Sequence, residues 1–200
     1  MSINVKYKYD SQRHRQFIKY NFIRKFLNLP NLEDIVYTYK TFDEIPNYDD
    51  VIYMSYSCIK LSTIKNLLKF PTSLQELWCS YNKLTSLPEL PNSLKILNCS
   101  NNQLTLLPKL PNQLQKLYCE KNQLTKLPDL PDSLLILDCY RNKLRTLPNL
   151  PDSLVRLHCP DNQLSILPEL PNSLEEFWYF DNQIISTYNY DYLKLIIYPF

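Results

Sequence analysis

The amino-acid sequence predicts a repeat solenoid in which short strands stack side by side into one parallel sheet and the chain returns outside it in extended segments. Three observations lead there. A period of 20 residues runs from Leu74 to Ser173 without an insertion. Within each period, apolar residues at positions 4 and 6 alternate with polar ones, the pattern of a strand with one buried face. Each unit also carries two prolines in its second half, which forbid helix on the return path and favour polyproline II.

Taken from the start, Met1 to Asp10 alternates polar and apolar residues with no long apolar run, so it does not read as a secretory signal. The next stretch, Ser11 to Asn28, predicts a helix: Ser11 is placed as its N-cap, Phe17, Ile18, Phe22, Ile23, Phe26 and Leu27 fall at helical spacing, and Pro30 ends it. Residues 1 to 30 hold seven Lys or Arg against one acid. With Arg13, Arg15, Lys19, Arg24 and Lys25 away from the apolar positions, a helix lying on a membrane surface or on nucleic acid is one reading. A helical cap over residues 1–31 that closes the open end of the solenoid explains the same pattern more economically.

Residues 32–73 read as two degenerate leading repeats. Leu32, Ile35, Tyr37, Phe42, Ile45 and Pro46 fit the template, and Val51, Met54, Tyr56, Leu61 and Ile64 fit it again. Residues 74–193 form six 20-residue repeats with the consensus LxxLxCxxNxLxxLPxLPxS, the last atypical, and residues 194–200 read as a terminal capping strand. No unit can cover its own leucines, so neighbours must do so, and burying one Leu stabilises by roughly 1.5 to 3 kcal/mol.

Two columns of the repeat have a structural reading. Asn82, Asn102, Asn122, Asn142, Asn162 and Asn182 follow the strands, and an amide that both donates and accepts can satisfy the backbone where the chain turns. Glycine is absent, so Asn is also expected to supply the left-handed conformation there. Cys79, Cys99, Cys119, Cys139 and Cys159 recur at position 6. Thiols pointing inward from parallel strands roughly 4.8 Å apart suit a ladder of small hydrophobes better than disulfides or the convergent ligands of zinc. Such free thiols fit a reducing compartment, so a cytoplasmic protein is expected. The sequon at Asn98, Cys99 and Ser100 is then without meaning.

The consensus resembles the leucine-rich-repeat family, and its length with LPxLP is similar to the short type in secreted bacterial effectors of the Yop and invasion-plasmid-antigen groups. The resemblance spans roughly residues 32 to 198. It implies a right-handed superhelix with a concave parallel sheet and an extended convex side. This chain departs from those effectors in carrying Cys where they usually have Val or another aliphatic, and no part of it has the size of the ubiquitin-ligase domain that the invasion-plasmid-antigen group appends. The Lys, Asn, Tyr and Ile bias is also similar to repeat proteins of giant DNA viruses or AT-rich protists.

Function is expected on the strand positions that leave the core. Position 3 reads Glu76, Ile96, Lys116, Ile136, Arg156, Glu176; position 5 reads Trp78, Asn98, Tyr118, Asp138, His158, Trp178; position 7 reads Ser80, Ser100, Glu120, Tyr140, Pro160, Phe180. Position 8 adds Tyr81, Asn101, Lys121, Arg141, Asp161 and Asp181. Large aromatics and Arg on an open sheet face are typical interface anchors. Trp78, Tyr118, Tyr140, Arg141, Arg156, His158, Trp178 and Phe180 are the candidate partner-binding residues, against the plainer reading that the aromatics pack across neighbouring strands.

Catalysis has little support. The two histidines are His14 and His158, and His158 beside Asp138 reads as a cross-strand polar pair before it reads as a base and its orienter. No cofactor or metal is expected. Lys plus Arg number 22 and Asp plus Glu 20, so the net charge of +2 gives no general reason to seek nucleic acid. No span is apolar enough for a membrane helix. The expected function is a monomeric, non-catalytic scaffold for a partner protein. The alternatives are a substrate adaptor for a ubiquitin ligase, and binding of nucleic acid or membrane through the basic N-terminal segment.

Overall fold

Each unit contributes a three-residue strand because the repeat allows no more: an inward Leu at its centre, an inward Cys just after it, then a turn fixed by Asn. The structure, a computed structural model, describes residues 3–7, 37–39, 48–57 and 70–184. Among the described residues nine strands form one sheet in the order β2-β1-β3-β4-β5-β6-β7-β8-β9. They are β1 (Ile3–Tyr7), β2 (Tyr37–Tyr39), β3 (Val51–Ser55), β4 (Glu76–Trp78), β5 (Ile96–Asn98), β6 (Lys116–Tyr118), β7 (Ile136–Asp138), β8 (Arg156–His158) and β9 (Glu176–Trp178).

From β3 to β9 the pairing is parallel and in register, with Met54 opposite Leu77, Leu77 opposite Leu97 and so on to Leu157 opposite Phe177. The fixed spacing makes this inevitable, since a slip of one residue would turn every Leu to solvent. Leu74, Leu77, Cys79 and Leu84 and their equivalents through Leu164 are fully buried. The second leading unit joins this stack with Met54 and Tyr56 in the Leu and Cys columns, both buried.

The first leading unit does not stack directly on the second. Strand β1 lies between them, antiparallel to β2 and to β3, with Val5 opposite both Tyr37 and Met54 and a bulge between Lys6 and Tyr7. The antiparallel strand supplies a partner to the β3 edge, which a parallel stack would otherwise leave as an open row of amides and carbonyls. The helix expected over Ser11–Asn28, and the terminal strand over 194–200, lie outside the described residues. No helix among the described residues is long and apolar enough to cross a membrane.

The asparagine column does what its chemistry predicts. Asn122 Nδ2 donates to the carbonyls of Cys99 and Cys119, each at 3.1 Å, and its Oδ1 accepts the Leu104 amide at 3.0 Å. The left-handed residue, however, stands one place earlier than expected: Tyr81, Asn101, Lys121, Arg141, Asp161 and Asp181 have φ between 53° and 57°. The reversal at position 8 swings the next side chain inward, and only from there can the Asn amide reach two strands at once. A second column works alongside it. Ser93 Oγ donates to Leu74 O at 2.7 Å and Ser133 Oγ to Leu114 O at 2.7 Å, tying each turn to the unit before. Prolines open those turns, as in the 3.1 Å bond from the Leu94 amide to Pro91 O.

Candidate functional site

Alternation along each strand divides the side chains between core and open face. In β4 to β7 and in β9 the middle residue is buried and its two neighbours are partly exposed, and in β8 Arg156 is exposed. Cys79 is fully buried while Trp78, one residue earlier, stands on the other side of the sheet. The position 3 and 5 columns therefore form a continuous face across β4 to β9.

The N-terminal half of this face carries the rings of Trp78 and Tyr118, with Glu76 and Lys116 as its charged groups. Trp78 and Tyr118 lean toward one another over the intervening Asn98, with ring centroids 6.5 Å apart and planes 26° apart. Between them Asn98 turns to its own strand, its Oδ1 accepting from Ser100 N at 3.2 Å and Ser100 Oγ at 2.8 Å. The Trp78 indole N–H donates to Glu76 Oε2 at 3.3 Å, which fixes the ring's roll. Aromatic packing across strands and an open aromatic surface are thus the same residues seen from two sides.

Charge concentrates in the C-terminal half. His158 lies between two carboxylates, Nε2 at 2.9 Å from Glu176 Oε1 and Nδ1 at 3.5 Å from Asp138 Oδ2, and its ring stacks on Trp178 with centroids 4.2 Å apart. Arg156 Nε donates to Glu176 Oε2. Burial alone would lower the His158 pKa, but its hydrogen bonds to Asp138 and Glu176 and the charges of those carboxylates outweigh it and hold the imidazole above its ordinary value. Glu176 shifts the opposite way: burial pushes it up, and the hydrogen bonds and charges of His158 and Arg156 bring it below the usual carboxylate value. Further along, burial raises Glu120, whose Oε2 has no hydrogen-bond partner.

At position 8, Tyr81, Arg141, Asp161 and Asp181 are exposed and Asn101 and Lys121 half-buried. Arg141, with 60% of its side chain accessible, donates from Nε to Asp161 Oδ2 at 2.8 Å, and the Lys121 ammonium lies 5.5 Å from the Tyr140 ring centroid. Phe180 is 55% exposed.

Position 7 departs from the expectation that it would line the open face. Ser80, Ser100 and Pro160 are buried, Glu120 and Tyr140 are half-buried, and only Phe180 is exposed. Small residues there are covered by their neighbours, as when Ser80 Oγ meets Ser57 Oγ at 3.0 Å. Of the candidate contact residues, Arg141, Arg156 and Phe180 are exposed, while Trp78, Tyr118, Tyr140, His158 and Trp178 are half-buried. Sequence reasoning does not single out Glu176 or Glu120. Only the register, which sets Glu176 diagonally from His158, points to the first.

The five ladder thiols are free and buried, and burial pushes Cys79 and Cys159 up to about 12, where no nucleophilic thiolate forms near neutrality. Among the described residues no group of three or more His, Cys, Asp or Glu is placed to hold a metal ion. On the opposite side, shallow grooves run between successive returns, one lined by Leu106, Leu110, Lys126 and Asp129.

Comparison with known proteins agrees with this architecture. Residues 72–112 match the family described as leucine-rich repeats, two copies. No curated protein matches the chain. Among solved structures it is similar to YopM from Yersinia enterocolitica WA-314, at 40% identity and a TM-score of 0.59 over 60% of this chain and 27% of that one. It is similar to a Shigella effector LRR domain at 38% identity and a TM-score of 0.62, over 66% of this chain and 60% of the other. It is also similar to YopM, a leucine-rich effector protein from Yersinia pestis, at 36% identity and a TM-score of 0.57, over 66% of this chain and 43% of that one. The chain thus spans less than two thirds of the length of each. With its parallel stack, its asparagine column and these neighbours, the chain has a leucine-rich-repeat solenoid fold and is similar to the repeat domains of bacterial effectors.

Proposed function

We propose that the chain is a non-catalytic scaffold, at work in the cytoplasm of the producing or host cell, that recognises a partner protein through the concave face of its sheet. The observation that carries this reading is the Trp78–Tyr118 pair, two large rings raised above a strand that offers only Asn98 between them. Aromatic surface held in place by its neighbours loses little entropy on contact with a partner, which is why such residues act as anchors. Arg141, Arg156 and Phe180 extend the surface toward the C-terminal end. The similarity to effector repeat domains supports the class of function, and the partner is a separate matter for experiment.

The test is affinity capture with three forms of the chain: wild type, a Trp78→Ala, Tyr118→Ala, Tyr140→Ala variant, and a Leu106→Ser control on the opposite side, where Leu106 is exposed. A protein held by wild type and control but lost by the triple variant is the expected result. Capture that ignores the triple variant and fades steeply with salt would move the interaction to the basic N-terminal segment instead.

A further inference from the structure

Within the open face, one ionisable group is held in a geometry that only its charged form satisfies. The His158 side chain is 12% exposed and meets Asp138 of β7 through Nδ1 and Glu176 of β9 through Nε2. Its ring lies flat on Trp178, with planes 11° apart. The other charged groups around it are Arg156 on its own strand, which is bound to Glu176, and Glu120, which lies beyond Asp138 and repels it. Tyr118 on β6 also senses Arg156 and Asp138.

A neutral imidazole carries one N–H and one lone pair, so it donates to one carboxylate and turns a lone pair to the other. An imidazolium donates to both. Asp138 has little else to rely on, for its Oδ1 is buried without a hydrogen-bond partner. The imidazolium also adds a cation to the face of the Trp178 indole, an attraction that vanishes with the proton.

We propose that His158 is a proton-operated latch on the C-terminal half of the face. Protonated, it ties β7 to β9 and clamps Trp178. When the proton leaves for solvent, one carboxylate is released, the face loses one positive charge, and Trp178 is freed for a partner. The proposal rests on the reading of this face as a binding surface and assigns its regulation.

Two measurements test it without any partner. The chain has two tryptophans, so Trp78→Phe leaves Trp178 as the reporter. Imidazolium quenches indole emission, so emission is expected to rise with pH through a midpoint above 6.5, the ordinary histidine value. Asp138→Asn and Glu176→Gln should each lower that midpoint by roughly one unit, and His158→Gln should abolish the transition. Since the chain has two histidines, His14→Gln leaves His158 as the single one, and its Cε1–H proton resonance reads the same midpoint with the latch intact. A resonance midpoint at or below 6.5 overturns the proposal. So does emission that stays flat across the midpoint, a transition that survives in His158→Gln, or a midpoint that ignores both carboxylate substitutions. Because both measurements are made on the free chain, the capture experiment still decides separately whether the face binds a protein.

Discussion

The Leu104 amide donates to Asn122 Oδ1 at 3.0 Å, a bond that reaches across 18 residues of sequence and joins one coil to the next. The same side chain donates to the carbonyls of Cys99 and Cys119. One amide therefore serves three buried backbone groups from two units, and no aliphatic residue could replace it. Asn122→Ala leaves those groups unpaired away from water and should lower stability by about 3 kcal/mol or more. Asn122→Asp keeps the shape but sets a carboxylate against carbonyl oxygens, so it should be at least as harmful. Asn182→Ala, at the partly exposed end of the column, should cost less. Urea unfolding of the three variants checks the order, and a harmless Asn122→Asp would contradict the account of the column.

The thiol ladder yields a chemical prediction. Cys99, Cys119 and Cys139 are fully buried and their pKa values are raised well above the ordinary 9.0, chiefly by loss of solvation. In a Cys58→Ser background, iodoacetamide should leave all five ladder thiols unmodified in the folded chain and alkylate them all in denaturant. Cys119→Ser puts a hydroxyl among these apolar groups and should destabilise by about 1–3 kcal/mol. Cys119→Ala should lose less than its smaller volume suggests, because the ladder neighbours are themselves small. Rapid labelling of the folded form would place the thiols on the wrong side of the sheet.

How much of this is legible in the sequence depends on whether a residue acts through the period or across it. The inward sets, Leu77 with Cys79 and Met54 with Tyr56, follow from alternation, because one buried face admits one register. The pairing of Val5 with Met54 carries no such signal: an antiparallel strand joins the stack from almost fifty residues away, and its five-residue alternation fits many partners. Sequence alone points to Asn122 for the left-handed turn that Lys121 makes, since Asn favours that conformation by itself and here is held by its side chain. On the face, Trp78 and Tyr118 can be read from their columns. The contact of His158 with Glu176 cannot, because it runs diagonally between strands and depends on side-chain length as much as on register.

The same turn supports a stabilising substitution. Tyr81 has a φ of 56°, a conformation in which a side chain crowds the backbone at a cost of roughly 1–2 kcal/mol. It is retained because the turn is held from both sides, as by the 3.1 Å bond from the Tyr81 amide to Ser100 O. Asn tolerates this region better, so Tyr81→Asn should raise stability by about 0.5–1 kcal/mol. Lys121→Gly should gain less, because glycine also frees the unfolded chain, and Lys121→Ala should gain nothing, since its Cβ remains. Thermal melts that rank Ala above Asn would show that the turn carries no strain of this kind.

The His158 and Glu176 shifts fix the sign of the pH dependence. His158 is raised from 6.5, so its contribution to folding is complete below 6.5 and is lost as pH rises through the folded value above it. Glu176 is lowered from 4.5, so its contribution is complete above 4.5 and is lost as pH falls through the folded value below it. The pair is fully effective only between these limits. Glu120 adds a slope of its own: burial raises it from 4.5, so its charged form opposes folding near neutrality and that opposition is relieved as pH falls through its folded value. Maximum stability should therefore lie on the acid side of neutrality, with a decline on the alkaline side. His158→Gln should flatten the alkaline limb, and Glu120→Gln should raise stability at pH 7 without moving that limb. Melting temperatures of the three proteins across this range decide it, and a wild-type stability that climbs as pH rises above 6.5 would reverse the sign derived from His158.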